Sequence, residues 1–72
     1  MITAVQCRAA RAILEWSVRD LAKYAHVGST TVVRFEGGKP ANASTLTLIK
    51  QAFEAAGVRF TDDGGIVPPK KD

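Results

Sequence analysis

Ser17-Val18-Arg19-Asp20-Leu21-Ala22-Lys23-Tyr24-Ala25, then His26-Val27-Gly28, then Ser29-Thr30-Thr31-Val32-Val33-Arg34-Phe35-Glu36: two short helix-forming runs on either side of a three-residue break decide how this chain is read. Ser17 offers a helix N-cap, and Asp20 three residues later completes a capping box while placing a carboxylate at the positive end of the helix dipole. Leu21 and Ala22 point inward from a helix that runs to about Ala25. The second run opens at Ser29, with Val32 and Phe35 as its inward pair at i, i+3. Ser29, Thr30, Val33 and Arg34 are therefore left facing outward. Gly37-Gly38-Lys39-Pro40 stops this helix, because glycine takes the left-handed cap and proline forbids continuation.

Working outward, Thr3 is an N-cap with Gln6 at the capping-box position, and Val5 to Glu15 is rich in good helix formers. Cys7, Ala10, Arg11 and Leu14 share one face of that helix at i, i+3, i+4, i+7. Trp16 is expected to end it and to lie beneath the following helix. On the other side, Ala41 to Ser44 reads as a loop leading to a cap at Ser44 or a neighbour. A fourth helix then runs to Ala56 with Leu46, Ile49 and Phe53 on one face, and Gly57 ends it. Leu48, Ala52 and Ala55 form a second, milder apolar stripe. Beyond Gly57 the period changes to the alternation Val58-Arg59-Phe60-Thr61, with a turn at Asp62-Asp63-Gly64-Gly65 and a return strand at Ile66-Val67. The reading is a mainly α, compact four-helix domain followed by a short C-terminal β-hairpin. It spans residues 1–67 as one domain, with the helix pair at 17–36 and the hairpin at 58–67, and residues 68–72 form a flexible tail after Pro68-Pro69.

Composition narrows the classes of function. Seventy-two residues, 46% of them hydrophobic, allow one small core, and no internal repeat is present. The formal charge is +3 and the pI about 9.4, a mild lean toward a polyanion. Arg19, Lys23, Arg34 and Lys39 fall between Ser17 and Ala41, opposed only by Asp20 and Glu36, whereas Asp62 and Asp63 lie far off. A single cysteine and a single histidine supply neither a disulfide framework nor a metal site. Cys7 reads as a small core residue with no base beside it in sequence, so no nucleophilic chemistry is expected. The expectation is no enzyme and no cofactor. No basic region followed by an apolar run marks a signal peptide, and no apolar stretch nears the ~20 residues that span a bilayer. A cytoplasmic setting is the expectation.

Two short capped helices joined by a three-residue turn define a helix-turn-helix, whose first helix braces and whose second can enter a major groove. Ser17-Val18-Arg19-Asp20-Leu21-Ala22, Val27, and Thr30 through Lys39 resemble the Cro/C1-type (phage-repressor-like, XRE) helix-turn-helix family of transcriptional regulators. The resemblance covers about Gln6 to Gly57. It implies sequence-specific binding of double-stranded DNA as a homodimer on a palindromic operator, with the helix at residues 29–36 in the major groove. By position it implies base contacts from Ser29, Thr30 and Arg34, and phosphate contacts from Gly28, Thr31, Lys39 and the helix start at Ser17. Arg19 belongs to the same basic cluster. The resemblance also implies a largely buried salt bridge between Arg11 and Glu36.

The chain departs from that family at three positions. Val18 stands where a phosphate-binding Gln is frequent, His26 where Gly is usual, and Val33 is apolar on the groove face. Val33 can meet a thymine methyl or a protein surface. A protein-interaction module, antiactivator or antitoxin-like, is therefore the alternative reading, with a possible protein partner in place of DNA. Dimer contacts are expected from the fourth helix or from the open edge of the hairpin.

Overall fold

The structure is a computed structural model that describes residues 1–70. Lys71 and Asp72 of the expected tail lie outside the described residues. Its first helix, α1 (Ala4–Leu14), begins with the anticipated reciprocal cap. The Gln6 N–H donates to Thr3 Oγ1 at 3.1 Å, and the Thr3 N–H donates to Gln6 Oε1 at 3.0 Å. Gln6 is buried and does a second job: its Nε2 donates to the Gly65 carbonyl at 3.1 Å, tying the far end of the chain to the start of α1. Helix α2 (Val18–Ala25) starts with the matching Ser17–Asp20 box, and α3 (Ser29–Glu36) follows after the three-residue turn. Helix α4 (Ala43–Ala55) is capped by Asn42, not Ser44. Asn42 has the extended backbone that a cap needs and accepts the Thr45 N–H at 3.0 Å, while Ser44 already lies inside the helix and donates its hydroxyl to Asn42 Oδ1.

All four helices end by the same device. A residue with positive φ turns the chain, and the residue after it donates back to the carbonyl five positions earlier. The pairs are Trp16 to Arg11 (2.8 Å), Val27 to Ala22 (3.1 Å), Lys39 to Arg34 (2.9 Å) and Val58 to Phe53 (3.0 Å). Glycine turns the chain at Gly38 and Gly57, whereas Glu15 (φ 56°) and His26 (φ 58°) adopt the left-handed region without that freedom. In α3 the left-handed residue is thus Gly38, and Gly37 keeps φ −83°. In α1 the helix closes at Leu14, so Trp16 lies just outside it.

The core draws on every helix: Cys7 and Ala10 from α1, Leu21, Ala22 and Ala25 from α2, Val32 and Phe35 from α3, and Leu46, Ile49, Ala52 and Phe53 from α4. Helix α2 packs on both α3 and α4. Ala52, expected on the outer stripe of α4, is buried, so that stripe lies on the margin of the core. Four aromatic rings form a column that runs from the half-buried Phe60 through the fully buried Phe53 to the exposed Tyr24. Phe60 meets Phe53 edge-on at 5.9 Å, Phe53 stacks on Trp16 at 5.6 Å, and Trp16 stacks on Tyr24 at 4.7 Å.

After Gly57, which faces the ring of Pro69, the chain makes the hairpin. Strand β1 (Arg59–Phe60) pairs antiparallel with β2 (Ile66–Val67) in the register Arg59 with Val67 and Phe60 with Ile66. The pairing is shorter than the alternation suggested, since Val58 is spent as a fully buried plug and Thr61 turns the loop. Gly65 is required there: a Cβ would sit 2.6 Å from Thr61 Oγ1. Among the described residues no helix is long and apolar enough to cross a membrane.

Candidate nucleic-acid interface

Helix α3 is held from below by Val32, which is fully buried, and by Phe35, which is nearly so. Every other property of its surface follows from that anchoring. Ser29, Thr30 and Arg34 are exposed, Thr31 is half-buried, and Val33 is 57% exposed in the middle of the same face. Gly28 caps the helix with extended backbone but offers no side chain to its first N–H groups. These donors therefore point outward at the positive end of the helix, an arrangement suited to phosphate.

The neighbouring start of α2 is different. Ser17 Oγ accepts the Asp20 N–H at 3.0 Å, and Asp20 Oδ2 accepts the Ser17 N–H at 2.8 Å. The backbone bond from Ser17, then its side-chain bond, hold the Asp20 carboxyl below its ordinary value. Of the donors expected to grip phosphate here, the Ser17 and Asp20 N–H groups are already used. The N–H groups of Val18 and Arg19 have no intrahelical acceptor.

Arg19, Gly28 and Lys39 are exposed. Among the described residues the one ion pair is Arg11 with Glu36; Arg19, Arg34 and Lys39 form none, and Lys23 stands near enough to Asp20 to help hold its carboxyl down. Arg34 borders an open depression of about 250 Å³ formed with Thr31, Pro40, Ala41, Asn42 and Thr45. Asn42 and Thr45 thus join the rim of the surface, although the sequence reading did not select them. Their position depends on how the loop at residues 37–42 folds back, which no local spacing reports.

Glu36 ends α3 on the opposite side. Its carboxylate accepts Arg11 Nε and Nη2, each at 2.7 Å, and the Cys7 thiol at 3.1 Å. Arg8 donates to its backbone carbonyl, and Arg11 Nη1 reaches the Trp16 carbonyl at 3.0 Å. Burial alone would raise the Glu36 carboxyl, but the bonds from Arg11 and Cys7 and the two nearby guanidinium groups outweigh it and hold the group below 4.5. Burial, reinforced by the bond to Glu36, pushes the Cys7 thiol well above its ordinary value. Cys7 is therefore a buried thiol, not a nucleophilic thiolate. The Arg11–Glu36 pair forms as the sequence suggested. The contributions of Cys7 and Arg8 escaped that reading, because side chains one and four residues apart on α1 meet Glu36 only through tertiary packing.

His26 occupies the turn between α2 and α3 and is exposed. Among the described residues no three His, Cys, Asp or Glu side chains gather in a way that could hold a metal ion. Set against models of known protein families and against curated proteins, the chain matches none.

Proposed function

We propose that this chain is a sequence-specific double-stranded DNA-binding transcriptional regulator of the Cro/C1 type, a repressor that places α3 in the major groove. The observation that carries this reading is the outer face of α3, where Ser29, Thr30 and Arg34 are exposed and, among the described residues, no carboxylate pairs with Arg34. A major groove about 12 Å wide admits one helix. Arg34 suits two parallel hydrogen bonds to a guanine edge, and short hydroxyls adapt to several bases. Arg19, Lys39 and the uncapped N–H groups behind Gly28 supply sequence-independent attraction to phosphate. The function is binding, with no catalysis and no cofactor, and its setting is the cytoplasm at the nucleoid.

One small module contributes too few base contacts for tight specific binding, so the active species is a homodimer on a palindromic operator. Half-sites lie ~34 Å apart, one helical turn. The molecule measures 34 × 25 × 18 Å, so two copies fit side by side at that spacing.

The exposed Val33 supports a second reading, a protein-interaction module that uses this same face against a protein partner. Binding to random duplex across a salt series separates the two. The DNA reading expects affinity to fall steeply, with a log–log slope of about −0.9 for each phosphate neutralised. Absent or salt-insensitive duplex binding contradicts it and favours the protein partner.

A further inference from the structure

We propose that the cleft between the start of α1, the middle of α4 and the hairpin turn binds a small zwitterion, an α-amino acid with an aliphatic side chain. The inference goes beyond the DNA reading and does not depend on it, because no residue that lines the cleft belongs to α2 or α3.

The cleft consists of two adjoining depressions. The first, of about 160 Å³, opens between Ile2, Gln6, Lys50, Phe60 and Asp62. The second, of about 210 Å³, shares Ile2 and Lys50 and extends to Leu46. Three contacts hold the walls in place without a ligand. Gln6 Nε2 ties the hairpin to α1 through the Gly65 carbonyl. The Thr61 hydroxyl accepts the Gly65 N–H at 2.8 Å and so shapes the turn that carries Asp62. Phe60 rests edge-on against buried Phe53. A site that is already ordered loses little entropy on binding.

Three observations select the ligand. The first is charge. Lys50 is half-buried and forms no ion pair among the described residues, although Asp62 lines the same depression. A partly desolvated ammonium without a counter-charge is costly. The two opposite charges line one cavity without meeting, which leaves room for a molecule that carries both. A simple anion would answer Lys50 but face the Asp62 carboxylate, and a simple cation would meet the reverse. The second is hydrogen bonding. Gln6 is 3% exposed, and its amide nitrogen carries two hydrogens, of which one goes to Gly65. The other is a donor for a carboxylate held at Lys50. The third is size. A cavity of about 150 Å³ holds a benzene ring, so the first depression suits the charged end of an amino acid and its first carbons. Ile2 and Leu46, both buried core residues, offer the second depression's apolar surface to a branched tail. A few polar groups converging in an otherwise apolar recess are the pattern of small-molecule sites.

Titration of the full chain with L-leucine, followed by amide chemical shifts in NMR, tests the proposal. The expected result is saturable shifts centred on Gln6, Lys50, Phe60 and Asp62, with a Kd on the order of 1 mM for so small a ligand. Isocaproate, which lacks the ammonium, and isoamylamine, which lacks the carboxylate, are each expected to bind about three- to tenfold more weakly. Lys50→Gln and Asp62→Asn are each expected to weaken leucine by a similar factor, with unchanged helical circular dichroism. Asp62→Asn is also expected to tighten isocaproate, because it removes the opposing carboxylate. Asp62 is exposed on its turn, so this variant carries the test even if Lys50→Gln disturbs the fold. Absence of shifts at about 10 mM leucine, or shifts that map to Trp16 and Tyr24 instead, overturns the proposal. Isocaproate binding the parent as tightly as leucine, or leucine binding indifferent to both substitutions, overturns it as well. None of these outcomes touches the salt dependence of duplex binding, so the two readings fail separately.

Discussion

On α3, Arg34 and Glu36 stand two residues apart and carry opposite unit charges, yet their surroundings have little in common. Glu36 is 8% exposed and its carboxylate accepts three hydrogen bonds from α1. Arg34 is exposed and paired with no acid among the described residues. The anchoring of Val32 and Phe35 makes this division, because it turns one side of an eight-residue helix into the core and leaves the other in solvent. The lesson is that charge on one short helix has two separable uses. Glu36 and Arg11 fix where α3 lies, and Arg34 is available to whatever α3 meets.

The largest expected effect tests the buried half. Arg11→Ala strands the Glu36 carboxylate against Cys7 and is expected to cost about 3–5 kcal/mol in denaturant unfolding. Replacing both partners together, with Arg11→Met and Glu36→Leu, is expected to cost much less, since no uncompensated charge remains. Equal losses in the single and double variants would break the distinction drawn here. On the outer half, Arg34→Ala is expected to leave stability within about 0.5 kcal/mol of the parent. It should forfeit about 1–3 kcal/mol of discrimination at one base pair.

Acid provides a milder probe of the same contrast. The Glu36 carboxyl is held below its ordinary 4.5 in the folded chain. The stability it contributes is therefore present above that value and lost as pH falls through the lower, folded-state pKa. Urea midpoints below pH 4.5 are expected to fall less steeply in Glu36→Gln than in the parent, with a residual slope from Asp20 and Asp63, whose carboxyls are also lowered. Identical slopes would mean that Glu36 is not the group that titrates.

The smallest expected effect concerns the turn that joins the brace to α3. His26 sits at φ 58°, where a side chain costs about 1 kcal/mol relative to glycine. His26→Gly relieves that strain but loosens the unfolded chain, so a gain of only about 0.5 kcal/mol is expected, readable as a rise in Tm.

The same local-versus-tertiary divide governs how much the amino-acid sequence disclosed. Capping boxes at Thr3–Gln6 and Ser17–Asp20, the stop after Glu36 and the hairpin turn are local chemistry, and each element appears where that chemistry places it. The inward pair of α3 was equally legible, because two apolar positions at i, i+3 fix the face of so short a helix. What stayed hidden depended on residues brought together from a distance. Ala52 is buried once α2 and α4 pack together, and Cys7 and Arg8 reach Glu36 only once α1 has docked. Glu15 took the left-handed position after α1 with nothing in its side chain to announce it. The candidate interface was legible in its centre at Ser29, Thr30 and Arg34, and less so at its rim, where Asn42 and Thr45 arrive by way of the loop.

The most direct test of the account is selection of bound fragments from random duplex DNA by the purified chain and, in parallel, by Arg34→Ala. The expected result is a palindromic consensus for the parent, and for the variant the same consensus with preference lost at one symmetric pair of positions. A consensus unchanged by Arg34→Ala, or no enrichment at all, would contradict the assignment of α3 as the reading element.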